Sequence, residues 1–301
     1  MQPSRHRWFD SLLAWYFVGV WGSGFIATKI GLQYAPPFTF LTLRYAFGLA
    51  CLFPLVLVLR PAWPATRAEF AHILVAGVLM HAANLGGSHY AQYLGMSAGV
   101  TALILALQPL LTALVVSRWM HTRLAARQWL GVVLGLAGVT LVVWHKVDIR
   151  AVGWASLATV GISLAAITTG TLYQRVFCPK VDLYGAALLQ FAISLAVVAP
   201  LAWIMEGMQV RWVWQLFAAI AFLVILASIL AVNALHTLMR HGEATRVTSL
   251  LYLTPVIAVV LELLIFGVVP TPLSMVGIGV TCLGVAMVVW TKRRPAAIEA
   301  D

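Results

Sequence analysis

Apolar residues occur in runs of about 20, each bounded by a short polar or basic stretch. As a helix, a run of that length crosses the ~30 Å hydrocarbon core of a bilayer at ~1.5 Å per residue. The pattern predicts ten spans, at about 8–31, 38–59, 70–94, 97–119, 126–144, 151–175, 184–205, 212–240, 245–267 and 272–291. Strict apolar–polar alternation over about ten residues, the mark of a membrane β-barrel, is absent. The loops are too short for a soluble domain. Two connections are tight, near Gly95 to Ser97 and near His241 to Thr245, where one long run could be a single broken helix. The first run follows Arg5 and Arg7, but it is too long for a secretory leader and lacks a small-x-small cleavage site. It reads as an uncleaved first helix.

Composition agrees with a lipid-facing surface: 62% of residues are hydrophobic and only 9% charged. The net charge of +10 sits in short loops, where it reports topology. It makes no basic face that could follow a nucleic-acid backbone. With the N-terminus in the cytoplasm, fourteen of the nineteen Lys and Arg fall on the cytoplasmic side and four opposite, and Arg44 lies within a span. The asymmetry puts both termini in the cytoplasm and requires an even number of spans. Most tryptophans fall at span ends, where an amphipathic ring prefers the headgroup zone; Trp15 and Trp21 do not. Cys51, Cys178 and Cys282 form no disulfide framework or metal pair.

An offset of 146 residues aligns the two halves without a gap. It places Trp8 on Trp154, Pro54 on Pro200, Pro109 on Pro255, Gly131 on Gly277, Gly138 on Gly284 and Trp144 on Trp290. Rare residue types carry the match, so a chance likeness between apolar stretches is a poor explanation. Each half holds five spans, an odd number, so the second must start on the opposite side of the membrane. The expected fold is therefore an all-α polytopic membrane protein of ten transmembrane helices. It is built as two inverted five-helix repeats, residues 1–146 and 147–301. Such pairs have two near-equivalent packings and are a transporter architecture.

Several short motifs then resemble a known family. They are Trp21-Gly22-Ser23-Gly24-Phe25, Pro36 with Phe38 and Arg44-Tyr45, and Ala106-Leu107-Gln108-Pro109-Leu110. Gly131, Gly135, Gly138 and Leu253-Thr254-Pro255-Val256 complete the set. Their order resembles the drug/metabolite transporter superfamily, in its ten-helix branch with a duplicated EamA-type repeat. Overall likeness is greatest to the amino-acid, including aromatic amino-acid, exporters of that branch. The resemblance implies export of small metabolites across the bacterial inner membrane by alternating access. The alternative within the superfamily is a drug or nucleoside exporter. An intramembrane lipid-modifying enzyme is the alternative from another class; it would need clustered acids or a nucleophile with a base, and these are absent from the spans.

A transport path needs polar side chains within apolar spans. Helical spacing gathers them into stripes: His81, Asn84, Ser88 and Gln92; Ser97, Thr101, Gln108 and Thr112; Ser163, Gly170, Tyr173 and Gln174; Asn233, His236, Thr237 and Arg240; Thr245, Thr248, Ser249 and Tyr252. Trp21, Phe25 and Thr28 share a side of the first span. The expectation is that spans 1, 3, 4, 6, 8 and 9 turn these stripes toward one central cavity. The bland alternative is that Ser, Thr and Asn serve as packing glue between helices.

Three charges complete the candidate set. Arg44 could hold a substrate carboxylate or snorkel to the outer interface, Lys29 lies near the outer end of its span, and Glu262 could relay a proton or pair structurally. Pro109 and Pro255 are candidate kinks or hinges. The small faces Gly131, Gly135, Gly138 and Gly277, Thr281, Gly284 read as close packing that supports each repeat internally, and the chain is expected to be a monomer. No metal, cofactor or nucleotide site is expected, since neither His81 nor His236 has a partner at ligand spacing and no P-loop occurs. The expected partners are a small-molecule substrate and the lipid bilayer. Proton exchange and facilitated flow both stay open.

Overall fold

The structure, a computed structural model, describes residues 4–119, 125–146, 153–179, 181–240, 251 and 253–289. Every regular element among them is helical. The helices are α1 (Ser4–Gly31), α2 (Pro37–Leu59), α3 (Arg67–Tyr93), α4 (Ala98–Trp119), α5 (Ala126–Lys146), α6 (Trp154–Phe177) and α7 (Leu183–Glu206). They continue as α8 (214–240), α9 (Thr254–Phe266) and α10 (Pro272–Val289). Seven are long and apolar enough to cross a membrane; α5, α9 and α10 are shorter apolar helices. The tight connection after α3 is a true break: Gly95 adopts φ +100°, and the Ser97 hydroxyl caps α4 by accepting from Val100 N–H at 3.2 Å. The second tight connection, 241–250, lies outside the described residues, as do Thr248 and Tyr252.

Several helices of the first half pack antiparallel on helices of the second. Along α3 and α6, His72 meets Tyr173, Asn84 meets Ser163, and Gly87 lies against Thr159. Along α2 and α7, Phe38 and Thr39 meet Glu206, Tyr45 meets Phe191, and Pro61 lies by Gly185. α1 runs against α8, with Tyr16 Oη donating to Leu226 O at 3.3 Å and Leu223 beside Gly24. α1 and α4 also pack on α9.

The closest of these pairings joins α5 to α10. A Cβ at Gly131 would stand 2.6 Å from Gly284 O, and one at Gly277 would stand 2.6 Å from Gly138 O. The small faces therefore let the last helix of one half touch the last helix of the other. This corrects the expectation that they support each repeat internally: the two faces are complementary to each other and meet across the halves.

Among the described residues, three interruptions break the regular helices. α3 contains a π-helical stretch, Val78–Ala83, and α8 contains Phe222–Leu230. The 146-residue offset carries the first onto 224–229, inside the second. α4 opens into a turn at Ala106 and Leu107, immediately before Gln108-Pro109, and Pro255 is the second residue of α9. Both prolines thus begin a helical segment, where their missing N–H costs nothing.

Candidate functional site

Trp21 marks the interior. On α1 it shares a stripe with Ala14, Phe17, Phe25 and Thr28. Ala14, Phe17 and Thr28 are buried, whereas Trp8, Leu12 and Trp15 on the opposite face are exposed. Yet Trp21 itself is 42% exposed. It is the exposed ring on an otherwise largely buried stripe. Phe17 stacks on it at 5.3 Å between ring centroids, and Phe25 is half-buried one turn on.

Polar side chains of α2, α3, α4, α6, α7 and α8 bond across the helices. His81 Nε2 lies 3.3 Å from Gln190 Oε1 on α7, and Gln190 Nε2 donates to Gln174 Oε1 on α6 at 3.2 Å. Edge contacts with Tyr45 and Phe191 hold the His81 ring. Arg44 Nη2 donates to Ser228 Oγ in the π segment of α8 at 3.3 Å. Tyr184 Oη donates to Asn233 Oδ1 at 2.5 Å, and Gln108 Nε2 to Thr171 Oγ1 at 3.0 Å. Each bond crosses between helices, so each fixes the position of a polar group at the interior.

Other expected residues play packing roles. Ser163 Oγ donates to Asn84 Oδ1 and Asn84 O at 2.8 and 2.7 Å, a buried bolt between α3 and α6. Thr101 donates to Ser97 O and Ser88 to Leu85 O within their own helices. Tyr173 turns to His72, their atoms 2.6 Å apart, away from His81. The backbone of His236 continues α8; its side chain lies outside the described residues. Arg44 is buried at 8% exposure, which removes the snorkelling alternative.

Lys29 and Glu262 are an ion pair at 2.6 Å. Glu262 also accepts from Ala98 N–H at 3.1 Å and Gly99 N–H at 3.0 Å, the free amides that begin α4. One buried carboxylate thereby ties α1, α9 and α4 at one end of the bundle. Its three partners give Glu262 a structural pairing. At the other end α4 and α6 part, leaving a cleft of about 260 Å³ lined by Val115, Trp119, Thr168, Leu172 and Tyr173.

Sequence reasoning assigned the interior to spans 1, 3, 4, 6, 8 and 9 and so missed Gln190 on span 7; on span 8 it chose the stripe from Asn233 onward and missed Ser228. Gln190 and Ser194, four residues apart on one face of α7, are the polar pair in a long apolar stretch, and a Gln within a span is itself a signal. His89, buried against Phe40, was also missed.

A helical membrane protein with a polar interior and an aromatic facing it defines the class: a multi-pass carrier. The EamA-like transporter family matches this chain twice, at residues 10–144 and 153–290. The chain belongs to that family. It is 26% identical over 287 residues to the uncharacterized inner membrane transporter YedA of Escherichia coli strain K12, covering 94% of this chain and 91% of that one. A probable amino-acid metabolite efflux pump of Salmonella typhimurium strain LT2 is 22% identical over 282 residues, covering 89% and 90%. A solved crystal structure superposes with a TM-score of 0.64 at 20% identity, covering 96% of this chain and 99% of that one, which shows the fold. The chain is thus a transporter and a multi-pass inner-membrane protein.

Proposed function

We propose that the chain exports small metabolites, amino acids foremost, by alternating access at the interior between its halves. In this reading α5, α9 and α10 also span the membrane, giving ten spans with both termini cytoplasmic. Residues 1–146 and 147–301 are then the two inverted repeats. The observations that carry the reading are the exposed Trp21 on a buried helix face and the polar groups that cross-brace six helices. An apolar aromatic wall beside hydrogen-bonding groups suits a small amphipathic solute. Support for the repeat comes from the double family match, the antiparallel partners and the matched π segments. Support for the substrate class comes from the relatives named as amino-acid metabolite efflux pumps.

Purified protein in liposomes, loaded with labelled neutral amino acids, tests this directly. Efflux above that of empty liposomes is expected, measured with and without a pH gradient. Absence of flux for every amino acid would remove the substrate assignment.

A further inference from the structure

Arg44 is a cation inside a membrane bundle with one hydrogen bond, to Ser228 Oγ, and no carboxylate paired to it among the described residues. Ser228 gives its own proton to Leu223 O at 2.9 Å, so its free lone pairs face the guanidinium. Arg44 Nε is buried with no partner. Two further buried polar atoms on α2 and α3 share that condition: Tyr45 Oη and His89 Nε2. Native interiors leave few such atoms, and a buried charge without a counter-ion is costlier than any of them. Arg44 is also close enough for its charge to act on both His81 and His89. What the cluster lacks is an acceptor, and a negative one.

We propose that Arg44 is the anchor for a carboxylate on the transported solute, which would complete the guanidinium fork from Nε. Arg suits this role because its planar fork matches the two carboxylate oxygens. The π segment of α8 links the anchor to the interior: it carries Ser228 against Arg44 and Leu223 against Gly24, one turn from Trp21. A solute holding its carboxylate at Arg44 would place its side chain toward the aromatic wall. Irregular helix at this point gives the site its geometry, since a regular turn would set Ser228 at another angle. This inference rests on the transport reading above and deepens it.

The test compares acids with their uncharged analogues. Leucine and phenylalanine, their primary amides and the matching amines compete for flux in liposomes; benzoate serves as a bare carboxylate in thermal-shift binding. For the native chain, acids should compete at least tenfold better than amides or amines. Arg44→Gln should erase that preference, while Arg44→Lys, which keeps the charge but not the fork, should retain a weakened form of it. Equal competition by acid and amide in the native chain overturns the anchor, whatever the variants do, and leaves amino-acid transport standing. No amino-acid flux, with a benzoate shift lost in Arg44→Gln, keeps the anchor and retires the amino-acid reading. Neither flux nor a benzoate shift overturns both.

Discussion

Glu262→Ala perturbs three helices at once. It removes the partner of Lys29 and the acceptor for the first two amides of α4. Breaking a buried ion pair from one side costs ~3–5 kcal/mol. Each stranded amide adds ~1–3 kcal/mol if it finds no water. The losses share a single carboxylate and do not add fully, so about 4–5 kcal/mol is expected. Lys29→Met is milder, because Lys29 is 26% exposed and Glu262 keeps both amides and the favourable helix end. It should cost ~1–2 kcal/mol. The assay is thermal unfolding in detergent, followed by tryptophan fluorescence. At roughly 2 °C per kcal/mol for a chain of this size, Glu262→Ala should melt about 8–10 °C lower and Lys29→Met about 2–4 °C lower. Equal shifts for the two variants would refute the reasoning, since the carboxylate would then owe nothing to α4. A shift below about 1 °C for Glu262→Ala would falsify the buried pair itself.

The remaining predictions concern packing, site and topology. Gly138→Leu forces a side chain onto Gly277 O and Thr281, so folded, monodisperse protein should fall sharply in size-exclusion chromatography, whereas Gly161→Leu, with open space at its Cβ, should not. Trp21→Ala and His81→Ala should lower amino-acid flux severalfold with unchanged membrane levels. Asn84→Ala, which leaves the Ser163 hydroxyl only the Asn84 carbonyl, should instead lower stability by ~0.5–1.5 kcal/mol at near-normal flux per folded molecule. A reporter fused after Asp301 should stay cytoplasmic, and one inserted near Asp148 should report the outside; the reverse pattern would overturn the charge-based orientation.

Helix positions were legible because the signal is long and one-dimensional: about 20 apolar residues in a row leave little choice. Proline breaks were legible for a similarly local reason, the missing amide of Pro109 and Pro255. Partnership was not. Asn84 and Ser88 share a stripe with His81, yet Asn84 turns its polar atoms to Ser163, while His81 reaches Gln190. Spacing on one helix says which residues share a face, and the facing helix decides whether that face is cavity or seam. The caps show the same limit. Pro36 precedes α2 and has no side-chain acceptor, so α2 takes its cap from Glu206, at the far end of α7. No local pattern announces an acceptor so distant in the chain. The π segments were hidden too, since a π turn inserts backbone without any distinctive residue type.

The two ends of the bundle differ in a way the proposed repeat makes instructive. The 146-residue offset carries Lys29 onto Arg175, so a cation stands at both matched positions. It carries Glu262 back onto Val116, so only one cation has an acid opposite it. Geometry follows that difference. On the Lys29 side α1 and α9 are so close that a Cβ at Gly22 would stand 2.8 Å from Ile257 Cγ2. On the Arg175 side the matched pair, α6 and α4, flanks the cleft, and Gly22 is replaced by the larger Thr168. Among the described residues, one end thus holds an ion pair with a helix cap and a glycine contact, and the other holds none of the three. A two-fold scaffold by itself would favour neither direction of opening. In the export reading proposed above, breaking the symmetry at these matched positions would set which side rests closed. With the charge-based orientation that side is the outer one, and the resting state is then expected to open to the cytoplasmic pool of solute, which cysteine accessibility from each side of the membrane would check.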